Sequence, residues 1–384
     1  MHRHTRTIAL AVTSILAAGA CAEPTTLAGP AQPGPVNAAA VKFWETGSSV
    51  KWNRRSVALF RARGGNPGRA MTYLSLAQYR AVLAAMAGKD QSMHPSLAAA
   101  AAGASVAVLV RFYPLDSATL EAELDAQSAE APWPGEKNRD WAAGEAIGRA
   151  VGAAILAFAA TDNIGTLNPG SPPSGEQYWF SANPPVRGNY GARPFFIEAN
   201  EVILPPPPAF DSPEFATALA EVRAASDDRT SAQLAISQKW APFGGVLYNL
   251  VAGELIVKYR FSELEAARVY AYANTAAFDA IISCFENKFR YWLIRPSQAD
   301  AGITTPIGLP NHPSYPSAHS CESGAFVTML ADAFPEETAM LAGLEEEAAD
   351  SRLLAGLHYR FDNEAGVELG HAVGELALAR RGIE

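Results

Sequence analysis

The 384-residue sequence predicts an all-α fold. Apolar residues recur at helical spacing along most of the chain, and alternating two-residue patterns are almost absent. Alanine, the strongest helix former, fills many of the periodic stretches.

In chain order, "TYLSLAQYRAVLAAMAG" (72–88) has helical spacing. "LAAAAAGASVAVLV" (97–110) is uncharged but too short to span a bilayer, so it reads as a buried core helix. "SATLEAELDAQSAE" (117–130) follows. "EKNRDWAAGEAIGRAVGAAILAFAATD" (136–162) reads as a long, mostly buried helix whose Gly and Ala let backbones approach closely. Periodicity then stops. Residues 163–211 are rich in Gly, Pro and aromatics, an irregular insert of the kind that covers sites; a boundary between domains is the alternative. Helices resume at "DSPEFATALAEVRAA", with Ser212 as N-cap and Pro213 at the first helical position. "SAQLAISQKWA" comes next, then a segment from 262 to about 293 opened by the capping box Ser262/Glu265. "AVLVRFYPLDSATLEAEL" (107–124) echoes "FVTMLADAFPEETAMLAGL" (326–344) as helix, aromatic, Pro, helix, which suits two similarly built bundles.

Residues 1–22 read as a signal peptide: a basic start, a short apolar run and a small-residue cleavage zone. Cys21 offers a lipidation site, although Ala18 stands where a lipobox usually has leucine, so periplasmic, secreted and lipid-anchored forms are all expected alternatives. Residues 23–40 form a flexible Pro/Gly/Ala leader, and 41–384 a single helical domain. No later segment reads as transmembrane. The oligomeric state is not legible. The net charge of -9 makes nucleic acid and anionic membranes poor partners, so an anionic ligand needs a local cluster of cations. Cys284 and Cys321 form either a disulfide or two small buried thiols, and no Cys/His set has zinc-site spacing.

Three stretches supply such a cluster. "NKFRYWLIRP" holds Lys288 and Arg295 seven residues apart, two turns on one helical face among Phe285, Phe289, Tyr291 and Trp292, before Pro296 stops the helix. "PSYPSAHS" places Ser317 at a helix N-cap and His319 in the first turn, where N–H groups and the helix dipole favour anions. "SRLLAGLHYRFD" adds Arg352, His358 and Asp362, the carboxylate four residues beyond the histidine it can orient. Three cations, a helix N-terminus and two histidines fit a tetrahedral oxyanion, with one imidazole for attack and one for proton transfer.

In order, these stretches resemble the signature K-x6-R-P, P-S-G-H, S-R-x5-H-x3-D of the type 2 phosphatidic acid phosphatase and vanadium-dependent haloperoxidase superfamily. The resemblance implies that superfamily's helical-bundle fold. It also implies that Lys288, Arg295 and Arg352 hold the anion's oxygens, with Ser317 and the Ala318 N–H adding hydrogen bonds. His319 would be the general acid, and His358 the nucleophile forming a phosphohistidine, oriented by Asp362. In the haloperoxidase branch the same pocket holds vanadate and His358 is the metal ligand. Ala318 departs from the family glycine; in ordinary helical conformation the exchange costs little.

The favoured reading is an exported acid-phosphatase-type phosphomonoester hydrolase, which needs no cofactor and acts on a small phosphorylated substrate. The alternative is a vanadium-dependent haloperoxidase with vanadate as cofactor. A non-catalytic phosphate or vanadate binder is the third. His312, seven residues before His319, resembles the extra histidine of algal bromoperoxidases and is a candidate for the halide or peroxide side; its plainer reading is a loop histidine satisfied by turn backbone.

Overall fold

The computed structural model describes residues 47–87, 94–130, 136, 139–242 and 244–382. The signal peptide, most of the leader-to-domain junction and Cys21 lie outside the described residues. Thirteen helices form among those described: α1 (Ser48–Arg63), α2 (Pro67–Ala87), α3 (Leu97–Phe112), α4 (Ser117–Ala129), α5 (Trp141–Ala159), α6 (Pro213–Asp227), α7 (Ser231–Lys239), α8 (Gly244–Tyr259), α9 (Glu263–Tyr291), α10 (Pro296–Ala299), α11 (Ala318–Ala333), α12 (Thr338–Leu354) and α13 (Arg360–Ala379). The strands β1 (His94–Pro95) and β2 (Arg139–Asp140) form one short parallel pair. The expected caps are present: Ser212 accepts from Phe215 N, and Ser262 and Glu265 make a reciprocal box.

The internal echo is structural. Both α3 and α11 have 16 residues, with Ser96 and Ser317 at their N-caps. They end at Tyr113 (φ -130, ψ 65) and Phe334 (φ -135, ψ 70), and each is followed by a 3-10 turn, Pro114–Asp116 or Pro335–Glu337, that leads into α4 or α12. A glycine row then seats the third helix of each half. A Cβ on Gly144 or Gly148 of α5 would come within 2.3 Å of Ser96 O or 2.1 Å of Ala100 O. On Gly366 or Gly370 of α13 it would lie 2.7 Å from Ser317 O or 2.3 Å from Cys321 O. Close backbone contact needs the missing side chain in both halves.

Helix α9 runs through the centre, buried along nearly all its length. Its polar side chains hold the irregular insert. Asp279 accepts from Phe195 N and Phe196 N, Glu286 from Asn200 N, and Asn287 from Leu204 N. A buried carboxylate or amide must find such partners, and here the loop backbone supplies them.

Two expectations change. Helix α5 buries only its glycine face; Ala142, Ala146, Ala150, Ala153 and Ala157 are exposed. By length and composition it is also apolar enough to cross a membrane, although Arg149 on it pairs with Glu121 and Glu145. Helix α9 stops at Trp292, whose left-handed φ of 49° ends it three residues before Arg295. Lys288 and Arg295 therefore do not share a helical face. Arg295 sits in extended backbone, and Pro296 starts α10 rather than ending α9.

Candidate active site

The bend after α9 brings Arg295 back under the loop that precedes α11. From one guanidinium it donates to His312 O (2.9 Å), Leu357 O (2.8 Å), His358 Nε2 (3.0 Å) and His312 Nδ1 (3.0 Å). A guanidinium only donates, so both imidazole nitrogens accept. Nδ1 of His358 therefore carries the proton and donates to Asp362 Oδ2 at 2.9 Å. The same carboxylate oxygen accepts from Ser314 Oγ (2.5 Å) and Tyr359 N (3.2 Å) at the start of α13. Gly356, at φ 72°, makes the turn that delivers His358 to this point.

His358 is held well below its usual pKa by burial and then by the Arg295 and Lys288 charges, so it is a neutral ring with a directed lone pair. Burial raises Asp362 to about 6, against the pull of Ser314 and the same cations.

Lys288 differs from its expected role. Its Nζ donates to Pro313 O (2.9 Å), Ser314 O (2.7 Å) and Pro316 O. All three protons are spent on the loop, so Lys288 shapes the site's wall rather than pointing a free donor into it. Burial lowers it to about 8. The freer cation is Arg352. It donates Nη1 to Trp240 O at 3.0 Å, while its buried Nε has no partner. Burial lowers Arg352 to about 9 and Arg295 to about 10, so both stay charged at neutral pH.

Ser317 caps α11 in position only: no side chain satisfies the first turn, and its buried Oγ is unpartnered. Ala318 is regular helix without positive φ, so the exchange from glycine imposes no backbone strain. His319 Nε2 donates to Trp240 O (3.0 Å) and Pro242 O (3.1 Å). Burial and then Arg352 push its pKa down to about 3. A general acid in this position needs an anion beside it to restore the protonated form.

The other half of the fold supplies an internal template. At the equivalent N-terminus of α3, the Glu136 carboxylate accepts from Ser96 Oγ (2.6 Å), Leu97 N (3.0 Å) and Ala98 N (3.4 Å). Glu263 likewise accepts from Ser48 N and Ser49 N at the start of α1. At α11 no carboxylate among the described residues fills the place, and the matching hydroxyl, Ser317 Oγ, has no partner among them. Donors, buried orphans and cations together fit an exogenous oxyanion.

Above these groups lies a cleft of about 560 Å³. His312, Ala318, His319, Arg352 and His358 line its polar side, Ile281, Phe285, Ile307 and Leu309 its apolar side, and Val186, Gly188 and Asn189 bring the insert into its wall. Lys288, Arg295 and Ser317 sit behind this lining. His312 lies against turn backbone as the plainer reading expected, its Nδ1 3.1 Å from Pro313 O, and its ring also packs edge-on against Phe285, with centroids 5.1 Å apart. Sequence reasoning missed the Trp240–Pro242 elbow, which acts through backbone carbonyls that no side-chain pattern announces. It also missed Glu347, which accepts from Trp240 Nε1 at 2.7 Å and steadies that elbow.

Fold and site define a helical protein of two related halves, with buried cations, imidazoles and an orphaned hydroxyl gathered at one cleft. No protein-family model matches the chain. A 159-residue stretch is 28% identical to the vanadium-dependent bromoperoxidase of Ascophyllum nodosum, covering 34% of this chain and 27% of that protein. The match thus spans about a quarter of the algal protein's length. Among solved structures, a bacterial vanadium-dependent iodoperoxidase matches with TM-score 0.70 and 21% identity over 91% of this chain and 99% of its own. A bacterial vanadium-dependent chloroperoxidase in its apo form matches with TM-score 0.62 and 14% identity, over 82% of this chain and 93% of that one. These likenesses show that the chain has the helical fold of the vanadium-dependent haloperoxidases.

Proposed function

We propose that this protein is a vanadium-dependent haloperoxidase, in preference to the phosphatase that the signature alone favoured. One observation carries the choice. A third imidazole, His312, is gripped by the same guanidinium as His358 and faces the cleft against Phe285. Phosphoryl transfer has no task for it. The similarity to a bromoperoxidase and the likeness in fold to an iodoperoxidase and a chloroperoxidase support the same reading.

When bound, vanadate would supply a Lewis-acidic centre that activates peroxide toward halide. His358 would hold it through Nε2, with Asp362 fixing the tautomer. Arg352, Ser317 Oγ and the Ala318 N–H would neutralise its oxygens, and Arg295 would turn part of its donor set from His358 to the anion. His319, its pKa restored by that negative charge, would give and take a proton at the anion's edge. Ile281, Phe285, Ile307 and Leu309 would keep bulk water away.

The phosphatase remains a second reading, because an imidazole lone pair oriented by Asp362 is also a competent phosphoryl acceptor. One paired assay separates them. With orthovanadate, hydrogen peroxide and bromide, the purified protein should brominate a phenolic dye, and without vanadate it should not. Hydrolysis of p-nitrophenyl phosphate that vanadate inhibits, with no bromination, would reverse the assignment. Export is proposed as well, on the character of residues 1–22.

A further inference from the structure

Two buried groups next to the site have no part in the chemistry above. Cys284 lies on α9 one turn before Lys288, and Cys321 lies in the first turn of α11, two residues after His319. Both are free thiols with no exposed surface. Each is within hydrogen-bond reach of the other. Cys284 Sγ also reaches Pro316 O at 3.9 Å, the carbonyl that accepts from Lys288 Nζ. The pair therefore bridges the helix that carries Lys288 and the helix that carries His319. The cleft lies close along both helices: Phe285, next to Cys284, and Ala318, three residues before Cys321, line it.

We propose that Cys284 and Cys321 are a redox modification site, a dithiol that hydrogen peroxide entering the cleft converts to a disulfide joining α9 to α11. The peroxide source rests on the haloperoxidase reading; the chemistry itself needs only peroxide. The thiolate of one cysteine attacks a peroxide oxygen, the O–O bond breaks, and a sulfenic acid and water result. The second thiol then attacks the sulfenic sulfur, the S–S bond forms and a second water leaves. Two thiols lose two electrons and two protons, and one peroxide becomes two waters. Cys284, one turn before Lys288 and sharing the Pro316 carbonyl with its ammonium group, is the attacking thiol. Burial alone would push it up, but Cys321 and the Lys288 and Arg295 charges outweigh burial and hold it below its usual value, while burial pushes Cys321 up. The bond would fix the anion-site loop from behind and remove the thiol that shares Pro316 O.

The test treats the full-length protein with peroxide in the absence of vanadate and halide, so its outcome is independent of any halogenating activity. Peptide mapping keeps Cys21 out of the count. The expected product is a cross-linked peptide containing 284 and 321, two mass units lighter than the reduced pair, reversed by dithiothreitol. In Cys321→Ser, oxidation of Cys284 should stop at the sulfenic acid or pass to higher acids, and in Cys284→Ser, Cys321 should react at least tenfold more slowly. Cys→Ala versions with native helical content serve if either serine disturbs folding. The proposal is overturned if both thiols of the folded protein survive peroxide that oxidises a free thiol peptide completely. It is also overturned if each cysteine oxidises at the wild-type rate when the other is absent.

Discussion

Arg295 Nη1 lies 3.0 Å from His358 Nε2 and occupies the lone pair that an incoming ligand must reach. With Asp362 on the opposite nitrogen, the ring is pinned in one tautomer from both sides. Burial and the neighbouring cations hold it neutral.

Ring-nitrogen NMR should therefore show His358 as the neutral Nδ1–H tautomer from pH 8 to below pH 6. A histidine depressed in the fold contributes stability above its unfolded value of about 6.5 and loses it as pH falls. His312 and His319 are depressed in the same sense. Buried Asp279 and Glu263, both raised to about 7, act oppositely: their contribution is present at low pH and is lost as pH rises through 7. Thermal unfolding of His358→Gln should consequently be less acid-sensitive than that of the wild type between pH 6.5 and 5. Protonation of His358 near 6.5 would contradict this.

Lys288 and Arg352 should separate cleanly. Lys288→Met strands three buried carbonyls and should cost roughly 3–5 kcal/mol of stability, read by denaturant unfolding. Arg352→Met gives up one hydrogen bond to Trp240 O, so its main effect should be on vanadate affinity, a loss of roughly 10- to 100-fold.

Glu136 fills in the first half the place that an anion would take in the second. Glu136→Ala should destabilise the protein by about 1–3 kcal/mol through the exposed N–H groups of α3. Millimolar formate should restore part of the loss, raising the unfolding temperature of the variant more than that of the wild type.

Ala318→Gly restores the family residue in a regular helical position. It should leave halogenating activity within about twofold and lower stability by up to roughly 1 kcal/mol, the helix cost of glycine.

Much of this was legible in the chain because the devices are local. Ser212, Ser262 and Glu265 announce helix starts through chemistry confined to one turn, and the spacing of Arg352, His358 and Asp362 survives into three dimensions. The echo between 107–124 and 326–344 correctly pointed to two related units. The end of α9 was not legible: nothing in "YWLIRP" signals that Trp292 takes a left-handed conformation, since packing rather than propensity imposes it. The duties of Lys288 and His319 were hidden for a related reason. Their partners are carbonyls of Pro313, Ser314, Pro316, Trp240 and Pro242, and backbone acceptors look alike in every sequence.

The most direct measurement is equilibrium dialysis of the purified protein against orthovanadate, with His358→Ala as the control and helical content checked in both. One vanadate retained per wild-type chain and none by the variant is the predicted result. Equal retention by the two proteins, or none by either, would contradict an oxyanion site built around His358.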